Sequence, residues 1–478
     1  MASKSTLNAK NLETLGAGRL AELLIEISTG SAVAKRRLRL ELAGAQGPKE
    51  AGREVAKRLA SLARARSYVN WQDRKALVTD LESQLRAIKE QIAPADPTEA
   101  LALAWRFMQV ATPLFGRCDD SSGIIMGVFH DACALLGEIA CAATPRPDML
   151  ADATIEALRD NGFGQYDGLI TILTPALGAE GLAHLKQRVD AIAATPVPVP
   201  PKKEWEVVGY GSGGATYVHQ MAEQSRKSFA RMALMDIADA MGDVDTFIAQ
   251  YEPATRKLPQ VAADIAKRLL AAGRAQDALG FIERAELGER ARVHDEWQAA
   301  KLDVLEALGR GDEAQAFRWE CFQRGLNPDH LRAYLKRLAD FDDVEAEETA
   351  MAYVMAFPGP LSALHFLIQW PAFDRAAALV QQRLGELNGD YYEILTPAAE
   401  VLSARFPLAA TLALRVMIDF TLKAAKSTRY QHAAHHLAEC TALSRQIEDF
   451  GVFEPHATFI ARLRRDHGRK AGFWGHFA

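Results

Sequence analysis

The spacing of apolar residues along this chain follows the α-helix and almost never the β-strand. One face of the first predicted helix carries apolar residues at i, i+3, i+4 and i+7, namely Leu20, Leu23, Leu24 and Ile27. Similar runs recur along the 478 residues and are separated by the Gly, Pro, Asp and Asn residues that are typical of helix ends. Alternating apolar and polar residues are almost absent. The pattern therefore predicts an all-α fold in which helices pair as hairpins.

A proline-rich segment interrupts the helical pattern near the middle of the chain. Prolines 196, 198, 200 and 201 cannot continue a helix, because each lacks the amide donor and disfavours helix at the residue before it. We therefore predict three parts. These are an N-terminal helical domain over residues 1–194, a Pro/Gly-rich linker or arm over 195–220, and a helical-repeat domain over 221–478.

The glycine run Gly209–Gly214 has the G-x-G-x-x-G spacing of a dinucleotide-binding loop. That loop needs a strand before it, a helix after it and a parallel partner strand beyond the helix. No second strand pattern follows, so the run is interpreted as a hinge or a binding loop, and we expect no cofactor.

The C-terminal part contains a weak internal repeat with the spacing of tetratricopeptide units. A glycine closes the turn between two helices, and small residues on the second helix let the two approach closely. The positions in two successive copies are Gly273, Ala278, Ile282 and Ala285, then Gly309, Ala314 and Cys321. We therefore expect tetratricopeptide-like hairpins, stacked into a curved superhelix because each hairpin buries its apolar stripe only against its neighbours.

Charge is distributed unevenly along the chain. The net charge is -5, but residues 1–90 contain 17 Lys and Arg against 10 acidic residues, so a net charge of +7 in this segment is opposed by -12 in the rest. The excess lies in two predicted helices, as Lys35, Arg36, Arg37 and Arg39, and as Arg53, Lys57 and Arg64. The last three share one helical face. Such a stripe suits an acidic protein partner or nucleic acid, or is simply solvated.

Three metal-ligating residues share one predicted helical face. His432, His436 and Cys440 stand at i, i+4 and i+8, a spacing that can hold zinc if further ligands complete the set. Cys440 also occupies the small-residue position that Cys321 and Ala285 take in the repeat. We therefore favour a packing role and predict no metal. If a metal is bound, these three residues are the candidate ligands.

A polar loop, Cys118–Gly123, precedes His130 and raises the question of nucleophilic catalysis. A helix cap at Asp120 or Ser121 explains the loop without chemistry. We assign no catalytic residue.

Several phrases of the sequence carry a resemblance to a bacterial all-helical family described only as a domain of unknown function. They are RLAELLIEISTGSAVAKRRLRLELAG, RCDDSSG, NGFGQYDGLI, IAKRLLAAGRAQDALGFIERAE, FDDVEAEE, MIDFTLKAAKSTRYQHAAHHLAEC and HGRKAGFW. Some are also similar to the helical region of SWIM-type zinc-finger proteins, although the CxC…CxH ligands of the SWIM module are missing. The resemblance implies an all-helical, tetratricopeptide-like, cytoplasmic protein and no particular activity.

Together these observations favour a non-catalytic scaffold or adaptor that binds a protein or peptide on a curved helical surface. We expect Lys267 and Arg415 to line that surface and the basic N-terminal helices to form a second one. Nucleic-acid binding through the basic helices is the alternative, and an enzyme or metal-binding protein is the second alternative.

The five cysteines are scattered, and the N-terminus lacks the apolar region of a secretory signal peptide. We therefore predict a cytoplasmic protein without a membrane partner.

Overall fold

A computed structural model describes residues 6–211, 213–288 and 295–477 of the chain. In these ranges the fold is all-α, as predicted, with packed helical hairpins and one two-stranded antiparallel sheet. The chain divides into two compact units, Met1–Glu252 and Pro253–Ala478.

The first unit contains twelve described α-helices and the sheet. They are α1 (Ala9–Glu13), α2 (Gly16–Ser28), α3 (Ala32–Gln46), α4 (Pro48–Arg64), α5 (Arg74–Ala87), α6 (Pro97–Met108), α7 (Ala111–Phe115), α8 (Ile124–Ala143), α9 (Pro147–Arg159), α10 (Leu169–Ala194), β1 (Val207–Gly211), β2 (Gly214–Tyr217), α11 (Val218–Met241) and α12 (Val244–Ala249). One π-helical turn, Ile88–Ile92, extends α5.

The second unit contains thirteen described α-helices. They are α13 (Pro259–Ala271), α14 (Ala275–Glu283), α15 (Asp295–Ala307), α16 (Gly311–Gly325), α17 (Pro328–Leu335), α18 (Asp342–Ala356), α19 (Pro360–Gln369), α20 (Phe373–Gln382), α21 (Tyr392–Leu402), α22 (Pro407–Lys423), α23 (Tyr430–Leu443), α24 (His456–His467) and α25 (Ala471–Phe477).

The division between the units lies further along the chain than the 195–220 linker that the prolines suggested. Residues 196–201 are indeed irregular, but α11 returns and packs along α10. Its apolar residues Ala230, Ala233 and Ile237 join the core of the first unit. Apolar burial beyond the prolines therefore places α11, and with it the start of the predicted repeat domain, in the first unit.

The glycine run that resembles a dinucleotide-binding loop lies in the β1–β2 hairpin. The two strands are antiparallel and pair Gly209 with Thr216 and Tyr210 with Ala215. Among the described residues no parallel strand accompanies them. The segment is therefore a hairpin, and the parallel strand–helix–strand context that a dinucleotide requires is not formed there.

Helix α8 packs against α5, α6 and α10 in the first unit. It is long and apolar enough to cross a membrane, but 56% of its most apolar window is buried inside the unit. Ile125, Phe129 and Leu136 are all fully buried. This burial is that of a core helix. Its N-terminus is capped by Asp120, whose carboxylate accepts hydrogen bonds from the amides of Ile125 and Met126 at 3.0 and 2.9 Å. This is one of the two caps, Asp120 or Ser121, that the sequence suggested.

The predicted repeat positions lie where helical hairpins turn and pack. Gly273 and Gly309 take positive φ values of 71° and 70° between α13 and α14 and between α15 and α16. Ala278 and Ala314, the small residues on the second helix of each pair, are fully buried. Each hairpin thus uses a glycine where the chain turns and an alanine where the helices meet.

Close packing of α8 against α10 gives a test of this fold. A Cβ added at Gly137 would lie 2.6 Å from Cγ2 and 2.8 Å from the carbonyl oxygen of Ile172. Gly137→Ala should therefore lower the free energy of unfolding by about 1–3 kcal/mol, the usual cost of overpacking. The measurement is urea unfolding followed by circular dichroism.

Gly127 in the same helix is the matched control, because nothing lies within 4 Å of a Cβ added there. Gly127→Ala should raise the free energy of unfolding by about 0.5–1 kcal/mol through helix propensity. Equal effects of the two substitutions would contradict the α8–α10 packing.

Candidate functional site

Five basic residues of the N-terminal segment line one cleft between α3 and α4. Ser31 caps α3, its hydroxyl accepting a hydrogen bond from the amide of Ala34 at 3.2 Å. Gly47 ends α3 with φ 133°, and Pro48 starts α4 at once. This tight turn sets the two helices side by side, with Val55 and Leu59 buried beneath them.

We call this space the basic cleft. Its volume is about 350 Å³, and its walls are Ala32, Lys35, Arg36, Arg39, Leu40, Glu54, Lys57, Arg58, Ser61 and Gln84. Four of the residues that the charge pattern selected, Lys35, Arg36, Arg39 and Lys57, are therefore brought together.

A buried carboxylate lies beneath the basic cleft. Asp80 of α5 is only 4% exposed and accepts hydrogen bonds from Nε and Nη2 of Arg58 at 2.8 and 2.5 Å. Its Oδ2 also lies 3.4 Å from Nη2 of Arg36. Gln84, one turn along α5, donates to Oδ1 of Asp80 at 3.3 Å. One carboxylate thus fixes an arginine from each wall.

Positive charge dominates the basic cleft. Five cationic side chains line it, and the carboxylates near them are Glu54, which lies 3.5 Å from the amine of Lys57, and Asp80. Five positive and two negative charges leave a net charge of +3. Lys35 and Arg39 make no ion pair within the described ranges of the chain. The cleft is therefore built to attract an anionic group.

Two polar atoms of the basic cleft are buried without a hydrogen-bond partner among the described residues. They are Nε of Arg36 and Oε1 of Gln84, which is itself 3% exposed. Such atoms are rare in native proteins and mark places where a ligand or ordered water completes the structure.

The other three basic residues of the predicted set lie outside the cleft. Arg37 is 4.0 Å from Glu41, Arg53 is 2.6 Å from Glu50, and Nε of Arg64 donates to the carbonyl of Ala60 at 3.1 Å. Arg53 and Arg64 do share an exposed face of α4 with Lys57, as the helical spacing predicted.

Sequence reasoning missed the residues that build the floor of the cleft. Arg58 lies one position from Lys57 and points toward α5, so it falls outside the stripe that the helical period selects. Asp80 lies 22 residues from Arg58, and nothing local links them. A useful signal was the placement of single polar residues, Asp80 and Gln84, among the apolar positions of α5.

The two residues expected on the surface of the repeat domain differ in exposure. Lys267 is exposed on α13. Arg415 is only 5% exposed and lies under the rings of Phe450 and Phe459, at 5.3 and 4.4 Å from the ring centroids. The expectation of an open surface position for Arg415 is wrong, because α22 lies in the interior of the second unit.

The candidate zinc ligands are not brought together. His432 and His436 line a largely apolar cleft of about 550 Å³, whereas Cys440 is fully buried and its thiol lies 3.7 Å from the carbonyl of Thr411. Burial raises the pKa of Cys440 to about 12, so its thiol stays protonated. Among the described residues no group of three or more His, Cys, Asp or Glu side chains is placed to hold a metal ion.

The Cys118 loop carries no assembled nucleophile. Burial raises the pKa of the Cys118 thiol, with Asp120 adding to the effect, so the reactive thiolate is disfavoured. Nε2 of His130 lies 3.4 Å from the carbonyl oxygen of Gly164. The loop therefore acts as the cap of α8.

Fold and site together define an all-helical protein of paired helices that carries a pre-formed cationic cleft. The chain belongs to the family of unknown function DUF6880, whose model matches residues 2–476. Comparison with curated proteins finds no match. Membership in a family of unknown function was predicted from the sequence phrases and is confirmed, and the similarity to SWIM-type proteins stays a prediction.

Burial of His436 predicts a pH-dependent stability. The pKa of His436 is lowered because burial disfavours the charged imidazolium, an effect larger than the opposing contact with Glu439. The unfolded chain therefore takes up the proton at higher pH than the folded chain. Stability is lost as pH falls from the ordinary histidine value of about 6.5 through the lowered value.

His436→Gln should reduce the stability lost between about pH 7 and about pH 5, as measured by urea unfolding. The control is His435→Gln, because the neighbouring side chain is exposed and the change in composition is the same. Identical pH profiles for wild type and His436→Gln would refute the assignment.

Proposed function

We propose that this protein is a non-catalytic binding protein that holds an acidic, amphipathic segment of a partner protein in the basic cleft. The observation that carries the proposal is the net charge of +3 concentrated in a cleft of about 350 Å³. Lys35 and Arg39 are exposed at its edge and free of ion pairs within the described ranges.

An exposed apolar face beside the cleft supports a protein partner. Helix α2 leads directly into α3, and Ser28 is its only buried residue. Leu24, Ile25 and Ile27 are 48%, 68% and 73% exposed. A partner that presents carboxylates to the basic cleft and aliphatic side chains to α2 would satisfy both surfaces.

The lining of the basic cleft and the charges on α4 favour a protein partner over nucleic acid. No aromatic side chain lines the basic cleft, so it lacks the platform on which bases stack. The exposed arginines of α4 are interleaved with acidic residues, such as Glu50 beside Arg53, which would repel a phosphate backbone.

The second unit supports the same class of function. Its hairpins turn at Gly273 and Gly309 and pack at Ala278 and Ala314, and these positions support tetratricopeptide-like units. We propose that it is a tetratricopeptide-like scaffold. Five free cysteines support a cytoplasmic location, where thiols stay reduced.

Charge reversal in the basic cleft tests the proposal. The probe is a fluorescein-labelled peptide of about 16 residues with glutamates on one helical face and leucines on the other, measured by fluorescence anisotropy. Wild-type protein should bind it with an affinity that falls as salt rises. Lys35→Glu combined with Arg39→Glu should weaken binding by at least about tenfold, because like charges then face the glutamates.

The control is Arg53→Glu combined with Arg64→Glu, which changes the net charge by the same amount on residues outside the cleft. It should change the affinity by less than about threefold, since only long-range electrostatics are altered. Equal losses in the two double variants would contradict the proposal. Tighter binding of a labelled DNA or RNA oligonucleotide, lost equally in both, would favour nucleic acid instead.

A further inference from the structure

A second cleft, lined by Arg415, lies in the second unit and is independent of the basic cleft. We call it the Arg415 cleft. Its volume is about 610 Å³, within the range of small-ligand sites. Four stretches of chain line it: the segment 384–389, helix α22, residues 453 and 454, and helix α24.

Arg415 is held in place but incompletely bonded. Its Nη1 donates to the carbonyl oxygen of Glu454 at 2.5 Å, and the guanidinium lies against the rings of Phe450 and Phe459. Its Nε and Nη2 are buried and have no hydrogen-bond partner among the described residues. These two nitrogens form one edge of the guanidinium group, the edge that binds a carboxylate in bidentate fashion.

Other arginines in this chain use the same edge for a carboxylate. Nε and Nη2 of Arg226 donate to Glu223 at 2.8 and 2.7 Å. The corresponding edge of Arg383 donates to Glu386 at 3.0 and 2.6 Å. In Arg415 the same edge makes no hydrogen bond to any of the described residues.

The carboxylates that line the Arg415 cleft already have partners. Arg462 takes two of them, with Nη1 and Nη2 donating to Asp419 at 3.1 and 3.0 Å and Nε donating to Glu454 at 3.0 Å. The third, Glu386, belongs to Arg383. Lys423 makes no ion pair within the described residues. Neither Arg415 nor Lys423 therefore has a carboxylate partner within the described residues. Counting Arg383, four cations and three carboxylates surround the cleft, which leaves a net charge of +1.

Burial makes the charge of Arg415, which contacts no carboxylate directly, costly. The pKa of Arg415 is lowered because the charged group is removed from water, an effect larger than the opposing influence of the nearby Glu454 and Asp419 carboxylates. A buried charge without a counterion is unfavourable unless a ligand supplies one.

The rest of the lining defines the remainder of the ligand. Phe420, Phe453 and Phe459 line the same cleft together with Leu412 and Val416. We propose that the Arg415 cleft binds a carboxylate attached to an apolar or aromatic group, with Nε and Nη2 of Arg415 on the carboxylate and the phenylalanines on the apolar group. A free organic acid and the C-terminal residue of a peptide share this chemistry.

Isothermal titration calorimetry on the full chain tests the proposal. The probes are 3-phenylpropionate and its neutral analogue 3-phenylpropionamide, and then the tetrapeptide Ala-Ala-Leu-Phe with a free or an amidated C-terminus. The acid of a pair should bind at least about tenfold more tightly than its amide, because only the acid supplies the counter-charge. A preference for the acid only in the 3-phenylpropionate pair identifies the ligand as a free organic acid. A preference only in the tetrapeptide pair identifies it as the C-terminus of a peptide, and a preference in both pairs shows that the cleft accepts either.

Variants locate the binding. Arg415→Met should abolish the preference for the acid, and Arg415→Lys should weaken acid binding by about tenfold, because lysine keeps the charge but lacks the two-nitrogen edge. Arg429→Gln is the control, since Arg429 lines the different cleft that contains His432 and His436 and pairs with Asp390 at 2.8 Å. It should retain wild-type affinity.

Equal affinity of wild-type protein for acid and amide would overturn the proposal, even if every Arg415 variant failed to fold. Acid binding that survives Arg415→Met in folded protein would also overturn it.

Discussion

Asp80 binds Arg36 and Arg58 from opposite walls of the basic cleft, and the geometry of that cleft depends on this buried ion cluster. Five cations in so small a space repel one another, and without the carboxylate beneath them the arginines would turn outward to solvent. Asp80 is shielded from water, so its interaction with Arg58 is stronger than that of an exposed pair. The basic cleft is in this sense pre-organised by a residue that an incoming ligand would not contact.

Much of the fold follows from the amino-acid sequence because helix period and turn residues are local properties. The turns at Gly273 and Gly309 were predicted from spacing alone, and the buried residues Val55 and Leu59 of α4 follow the same helical period. Part of the site followed in the same way, because Lys35 and Arg39 lie one helical turn apart. The capping of α8 by Asp120 is local too.

The features that sequence reasoning missed are those that depend on distant contacts. The pairing of Arg58 with Asp80 depends on how α4 packs on α5, and the burial of Arg415 depends on the aromatic residues that follow α23. The extent of the first unit is a third example. A proline-rich segment ends a helix for local reasons, but α11 returns to the earlier core by apolar packing that no local signal announces.

The central claim is that Asp80 shapes the basic cleft, and Asp80→Asn tests it most directly. The substitution adds one positive charge, so electrostatics alone would tighten binding of the labelled acidic peptide. Our account predicts the opposite result, an affinity weakened by about threefold or more at the same salt concentration, because Arg36 and Arg58 lose the carboxylate that positions them. Circular dichroism would establish that the variant is folded. Unchanged or tighter binding by folded Asp80→Asn protein would contradict the account.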